Sequence, residues 1–559
     1  MLMATKYGSK LTPNKTPQNR PIPGREKDMQ PNAAGGYAFN MDDVRRFQRW
    51  LILGSEAKTH YESSDDLTKQ NFEVLQRLIA TRPEAVVPTI VDVRTNDMAL
   101  RQSQALFALA IASSNDATKA AAFNVLQVIC QTASQLQEFI SARKDIVGKA
   151  KSSRAIRTAV GKWYTDKPVG KLAYQLLKYR TRQGFSHADI LELFHVKPQN
   201  VAQEQLFALI AEPNLASAEN FEKAIKNLKP EKAQAARERR LRTLRLASEA
   251  HENIPMIAGF ERLQAATDEA EAATIIREYG FTREMVPTNF LNSKVVWAAL
   301  VENMPYEALI RSLNKITQVG LVEMFGQNDW IKRITDPELI RKSRIHPMRL
   351  FVAWKQYQQG EGDKGSLTWT PNGKITGALE KAFTLSFANV EPSDKNVMVA
   401  IDVSSSMTDH GVAGIYNTMP WELGAALALV YLKANPKSAL MFFNTSAQMV
   451  SEAHADMTLN EMIGVIKRHS GGGTDCAAPF QYIKKHNLPV DGVLMVTDSE
   501  TWHGHQHVTQ AKGSIKFFNV QTTASRASLN DPEDAGWYEV AGFSADTIKI
   551  AELFFAGRI

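Results

Sequence analysis

Only two cysteines, Cys130 and Cys476, occur in 559 residues. Two distant thiols cannot frame a disulfide-stapled fold or build a zinc site, and a chain with its thiols free suits a reducing compartment, the cytoplasm. Long hydrophobic runs are also missing. No stretch of 18 apolar residues occurs, so no membrane-spanning helix is expected. Met1 to Gln30 is polar and basic, without the apolar centre of a secretory signal. Acidic residues are scarce in the front of the chain. Residues 391–559 hold 12 Lys+Arg and 18 Asp+Glu, a net of −6, which leaves 54 and 41, a net of +13, for the first 390. That split fits a polyanion on the front part and none on the back. A basic, solvated surface without a ligand is the bland alternative, and charge alone does not separate the two.

Residues 1–40 carry Pro13, Pro17, Pro21, Pro23, Pro31, Gly35-Gly36 and six Lys/Arg, a composition that predicts a flexible basic arm. From 41 to 375 strand-like alternation is missing and helical spacing recurs. Helices are expected over Asp42 to Leu53, Asn71 to Ala80, Ala99 to Ser113, Asp116 to Cys130, Gly170 to Gln183 and Ser186 to His195. Many short helices in series imply an α-solenoid of HEAT or armadillo kind, although no exact sequence repeat is visible. Gly360 to Gly373 is a turn-rich joint. Beyond it, over 376–559, the pattern changes. Strands are expected at Val397–Ile401, Ala439–Phe443, Gly492–Val496 and Ile515–Val520, with helices at Trp421–Lys433 and Leu459–Arg468 between them. Such alternation builds a doubly wound parallel sheet, whose ligands sit at the carboxyl ends of the strands.

Hard oxygen donors collect at that edge. The first strand runs into Asp402-Val403-Ser404-Ser405-Ser406 and a later one into Thr497-Asp498, with Gly471-Gly472-Gly473-Thr474-Asp475 between them. Two carboxylates and three hydroxyls suit Mg²⁺ or Mn²⁺, not zinc. The set resembles the metal-ion-dependent adhesion site of von Willebrand A domains. Asp402, Ser404 and Ser406 match its Asp-x-Ser-x-Ser element, Thr474 its threonine and Asp498 its distal aspartate. The resemblance implies a bound divalent cation with one position left for an acidic group on a ligand. A phosphatase with Asp402 as nucleophile competes poorly, because that chemistry wants an aspartate where Ser404 stands.

Positive charge is densest from Phe139 to Phe185, where twelve Lys/Arg face only Asp145 and Asp166, a local net of +10. On a helix continued from Gly170 to Gln183, Lys171, Lys178 and Arg182 fall within about 40° of one another. Leu172, Ala173, Leu176 and Leu177 take the other side, and Arg180 falls unexplained among them. Gly184 stops the helix and Ser186-His187-Ala188-Asp189 opens the next with a capping-box spacing, ending at His195. His195 is either a packed, capping histidine or a donor to phosphate or base.

Ser153 to Tyr164, Leu172-Ala173-Tyr174 and Lys178 to His187 together look like the core motif of the Ro (TROVE-domain) proteins. Leu53-Gly54-Ser55-Glu56 with Tyr61, Asn303-Met304-Pro305 through Arg311, and Arg344-Ile345-His346-Pro347 are similar to further family motifs. Departures occur at Ala57-Lys58, where the family often has Gly-Gly, at Phe185, usually Trp, and at Glu192, often basic. The resemblance implies a ring of helical repeats joined by the A-like domain, and a non-catalytic monomer. Its outer surface would bind small noncoding Y RNA through Lys171, Lys178, Arg182 and His195, and its cavity single-stranded 3′ ends of misfolded RNA. In some members an exoribonuclease is a partner. A protein-binding adaptor whose metal site takes acidic ligands, and a metal-dependent phosphohydrolase, are the alternatives from other classes.

Overall fold

Apolar residues spaced three and four apart bury one stripe of each helix in the front part of the chain. In Arg154–Thr165 the stripe is Ile156, Val160 and Trp163; in Val169–Lys178 it is Leu172, Ala173, Leu176 and Leu177. Each large side chain so buried stabilises the array by about 1.5–3 kcal/mol. The computed structural model describes the chain apart from residues 1–14, 33, 54–63, 96–101, 149–152, 213–214, 216, 326, 363–365, 391–394, 409–410, 413–417, 524–526, 542–546 and 558–559. The motif positions from Gly54 to Lys58, Tyr61, Lys149 and Lys151 fall outside the described residues.

Helices follow one another from Asp43–Leu53 to Gly373–Leu385 as a HEAT-like array. The expected helix from Asp116 to Cys130 is in fact two short ones, Lys119–Asn124 and Leu126–Ile129. Ser64–Thr81 begins seven residues before its expected start. A boundary at 375 would cut Gly373–Leu385, which packs on Pro347–Gln359 and Gln327–Ile334 and so completes the helical body.

The C-terminal domain is built on a six-stranded sheet in the order β11-β9-β8-β5-β6-β7, with strands β5 Val397–Asp402, β6 Ala439–Phe443, β7 Ala447–Met449, β8 Gly492–Thr497, β9 Lys516–Gln521 and β11 Trp537–Ala541. All neighbours are parallel except β6 and the edge strand β7. β5 and β8 are buried along their whole length, which is why they read as continuous apolar runs.

Both ends of the helical array rest on this domain, so the array closes into a ring. At its far end Pro347–Gln359 packs on the domain helix Pro420–Ala434, and the Lys355 ammonium donates to Glu422 at 2.8 Å. At its near end Asp43–Leu53 lies against β11, and Arg49 pairs with Glu539 in a seam where their side chains are 6% and 8% exposed. Glu539 also accepts from Asn519 Nδ2 (3.2 Å) and Ser528 Oγ (2.8 Å).

The expected flexible arm is not one from residue 15 onward. Strands β1 Met29–Pro31 and β2 Tyr37–Asn40 form an antiparallel sheet with β10 Ala527–Ser528 of the C-terminal domain. Gln18 is fully buried; its Nε2 donates to Asp475 Oδ1 at 2.6 Å, and Thr501 Oγ1 donates to its Oε1. A Cβ on Gly36 would collide with the Thr501 carbonyl oxygen, so only glycine lets the two backbones approach this closely. The segment is a strap held by partners nearly 500 residues away, which its proline-rich composition concealed.

Candidate nucleic-acid interface and metal centre

The basic face is composed of a helix, a hairpin and a second helix. Val169–Lys178 ends five residues before Gln183, because the chain turns into the hairpin of β3 Thr181–Arg182 and β4 Phe185–Ser186. Gln183 (φ 52°) and Gly184 (φ 75°) make its two-residue turn, the conformation that matches the twist of a tight hairpin. Arg182 is therefore on a strand, not on a helical face with Lys171 and Lys178. All three still belong to this contiguous segment, Lys171 and Arg182 exposed and Lys178 half-buried.

Gln137 fixes the hairpin to the preceding helix, donating through Nε2 to the carbonyls of Tyr179 (3.1 Å) and Phe185 (3.0 Å). Phe185 enters the core, and the Lys144 ammonium lies 5.3 Å from its ring centre. Lys178 is already partnered. Its ammonium sits 3.8 Å from Glu284 and 3.5 Å from the Tyr174 hydroxyl, and 5.5 and 5.4 Å from the ring centres of Tyr174 and Tyr179. Burial, the largest single influence, opposes the charge on Lys178, but Glu284, Tyr174 and Tyr179 together outweigh it and hold the ammonium above the usual lysine range. Sequence reasoning missed this carboxylate, about a hundred residues away. Arg180 stacks over Phe260 with 5.5 Å between guanidinium carbon and ring centre, which explains its place among apolar positions.

The capping box forms as expected. Ser186 Oγ accepts from the Asp189 amide and Asp189 Oδ2 from the Ser186 amide, starting His187–Leu193. His195 lies just beyond its end, exposed, at φ 50°. The Val196 amide reaches back to the Leu191 carbonyl, a closure in which glycine is the usual left-handed residue. Holding a histidine there costs about 1 kcal/mol, the kind of local strain that collects at functional positions. It is His187, not His195, that is packed in the core: its Nδ1 shares a 2.7 Å hydrogen bond with the Tyr164 hydroxyl, and burial lowers its pKa to about 4.

The helix Pro230–Asn253 carries five arginines, Arg237, Arg239, Arg240, Arg242 and Arg245, several of them already partnered. Arg237 pairs with Glu222, Arg242 with Glu204 and Arg245 with Glu249, and Arg240 lies over Phe221.

At the carboxyl edge of the sheet all five oxygen-bearing residues are buried: Asp402, Ser404, Ser406, Thr474 and Asp498 are 0–7% exposed. Asp402 Oδ1 accepts from the Ser404 amide at 2.9 Å and its Oδ2 from Thr497 Oγ1 at 2.6 Å. The Ser404 and Ser406 hydroxyls are 3.3 Å apart. Gly471 and Gly472, both at positive φ, let the loop hydrogen-bond to Val403 and Ser405, and a Cβ on Gly473 would strike the Trp502 ring. Asp498 Oδ1 accepts from the Glu500 amide, whereas its Oδ2 is buried without a hydrogen-bond partner. Burial, and then the charge of Asp498, push the Asp402 carboxyl upward. Two buried carboxylates, one orphaned oxygen and adjacent hydroxyls are a donor set short of one cation, and they fit a hard divalent metal. Among the described residues no cluster of three or more His, Cys, Asp or Glu stands as a metal site.

Both cysteines are buried, with their thiols pushed above the usual range by burial, as befits packing residues. No described helix is long and apolar enough to cross a membrane.

The TROVE domain profile matches residues 30–356, and a profile described as the Ro60 vWA domain matches 396–555. RNA-binding protein RO60 of Caenorhabditis elegans is 30% identical over 592 aligned positions, covering 94% of this chain and 90% of that one. RNA-binding protein RO60 of Deinococcus radiodurans is 29% identical over 558, covering 97% and 98%. Among solved structures, the crystal structure of the Deinococcus radiodurans RO (RSR) protein matches with a TM-score of 0.65 at 27% identity, over 92% of this chain and all of that one.

Proposed function

The chain belongs to the TROVE-domain, Ro60 family of RNA-binding proteins, and from that premise we propose that it holds a small structured noncoding RNA of the Y type on the face around Lys171, Lys178, Arg182 and His195. The observation that carries this reading is the helix–hairpin–helix unit that closes the +10 stretch of Phe139 to Phe185 and holds Lys171, Lys178 and Arg182, with an exposed histidine kept at a strained helix end. Cations there bind phosphates, and the histidine donates to phosphate or stacks on a base. The ring's interior takes single-stranded 3′ ends of misfolded RNA, and the protein acts as a monomeric cytoplasmic scaffold that presents such RNA, to an exoribonuclease where one is present, without cleaving it itself.

Asp402, Ser404, Ser406, Thr474 and Asp498 would hold Mg²⁺ or Mn²⁺. The ion would supply a Lewis-acidic position for an acidic group on a ligand; this chain's part is to bury the donors and fix their loops.

Filter binding of a small hairpin RNA across a salt series tests the RNA reading. Log K should fall with log salt by roughly 0.7–0.9 per phosphate contacted. Lys178→Ala with Arg182→Ala should weaken binding and flatten that slope while the melting curve stays in place. Affinity flat in salt would refute it.

A further inference from the structure

Between Val169–Lys178 and the start of Pro255–Ala265 lies a recess of about 400 Å³ that shares Lys171 with the basic face. Tyr174 and Met256 are its apolar walls, and Lys167, Lys171, Gln131 and Gln175 its polar rim. Gly170 completes the lining, and a Cβ there would meet nothing within 4 Å, so this side stays open. Among the described residues no carboxylate lines the recess.

Four of the lining groups are held in place by contacts of their own. The Tyr174 hydroxyl accepts from Lys178, which anchors the ring at its outer end. Lys167 donates to the Trp163 carbonyl at 2.7 Å and lies 3.6 Å from the Trp163 ring centre, so its ammonium is fixed and not swinging in solvent. Gln175 Oε1 accepts from the Ala133 amide (2.9 Å) and Gln131 Oε1 from Arg94 (2.8 Å). Both amides thus spend their carbonyls on the protein and keep their NH₂ groups as donors. Two cations, two amide donors, an aromatic face and a thioether complement a flat ring edged with acceptors and tied to a negative charge. An apolar peptide would bring no anion to either ammonium group.

We propose that this recess receives one unpaired nucleobase of a bound RNA, stacked on Tyr174 against Met256, with the adjoining phosphate on Lys171 and Lys167. The inference rests on the reading of this helix as an RNA interface and adds to it a base-binding subsite. Burial lowers the Lys167 amine to about 8, a cost that an adjacent phosphate would offset. Because every base has a flat face, the subsite selects for a base that is unpaired, not for its identity.

The test uses the full chain and two fluorescein-labelled probes of equal length and charge, octa-adenylate and an octamer of abasic ribose phosphates, at one salt concentration. The first should bind at least about tenfold more tightly, the size of one stacked base. Tyr174→Ala should erase that advantage, read as the ratio of the two affinities so that any change at Lys178 cancels. Tyr174→Phe, which keeps the ring, should retain it, and Lys171→Ala should weaken both probes alike. An advantage undiminished in Tyr174→Ala, or lost equally in Tyr174→Phe, overturns the proposal. Equal, salt-sensitive binding of both probes to the parent protein overturns the base subsite while sparing the RNA interface. If neither octamer binds and the hairpin RNA fails as well, the interface falls and the subsite with it.

Discussion

Replacing Glu539 by Gln removes one charge from the seam and changes almost nothing in volume. The carboxylate is 8% exposed and holds Arg49, itself 6% exposed, so the substitution takes the paired charge away from a buried guanidinium. Burial and the like charges of Arg46 and Arg45 disfavour that guanidinium, and Glu500 offsets them only in part. Breaking a buried pair from one side costs about 3–5 kcal/mol. At about 1.4 kcal/mol per factor of ten, local opening of the seam becomes roughly two to three and a half orders of magnitude more frequent. Hydrogen exchange reads this directly: the amides of Asp43–Leu53 should lose protection by that factor, while those of β5 and β8, deep in the sheet, stay protected. Combining Glu539→Gln with Arg49→Met, which leaves no stranded charge, should restore most of the protection. Exchange of Asp43–Leu53 in Glu539→Gln within threefold of the parent would show that something other than this pair closes the ring.

Asp402→Ala in the full chain should abolish Mn²⁺ binding measured by calorimetry, with hairpin RNA affinity changed less than threefold; a tenfold loss, about 1.4 kcal/mol, would show that the two sites are coupled. His187 binds a proton less readily folded (about 4) than unfolded (6.5), so its contribution is complete above pH 6.5 and drains away as pH falls, by about 3 kcal/mol at pH 4. Urea midpoints should therefore drop over that window, and His187→Gln should shrink the drop; an unchanged profile would remove His187 as its source. RNA with a single-stranded 3′ tail should bind more tightly than the same RNA with its tail paired, and equal dissociation constants would confine binding to the outer surface.

The apolar stripe of Val169–Lys178 was legible in the sequence because burial repeats with the helical period. Arg182 was misplaced because nothing in that period announces where it stops. The signal was Gln183-Gly184, which fits a helix terminus as well as a hairpin turn, and two-residue strands are too short to alternate visibly. The five oxygen-bearing residues of the A-like domain were legible because strand ends and a glycine loop deliver them to one edge in chain order. Ser499, at φ 65° just after Asp498, carried no such mark. Glu284 beside Lys178, Glu539 beside Arg49 and Asp475 beside Gln18 escaped for one shared reason: each meets its partner across a hundred or more residues, where local pattern has no reach.

The seam has a consequence for how the protein is made. Arg49 and Glu539 are 490 residues apart, and β1 and β2 await β10, which is synthesised almost as late. A ribosome adding about 5–20 residues per second needs roughly 25–100 s to cover that distance. Throughout that interval the nascent array carries an uncovered seam and an open strand edge at its amino end, the kind of feature that recruits chaperones or other chains. Ring closure is thus a late step of biosynthesis. A ribosome stalled before β11 would release helices that have folded locally but have nothing on which to close.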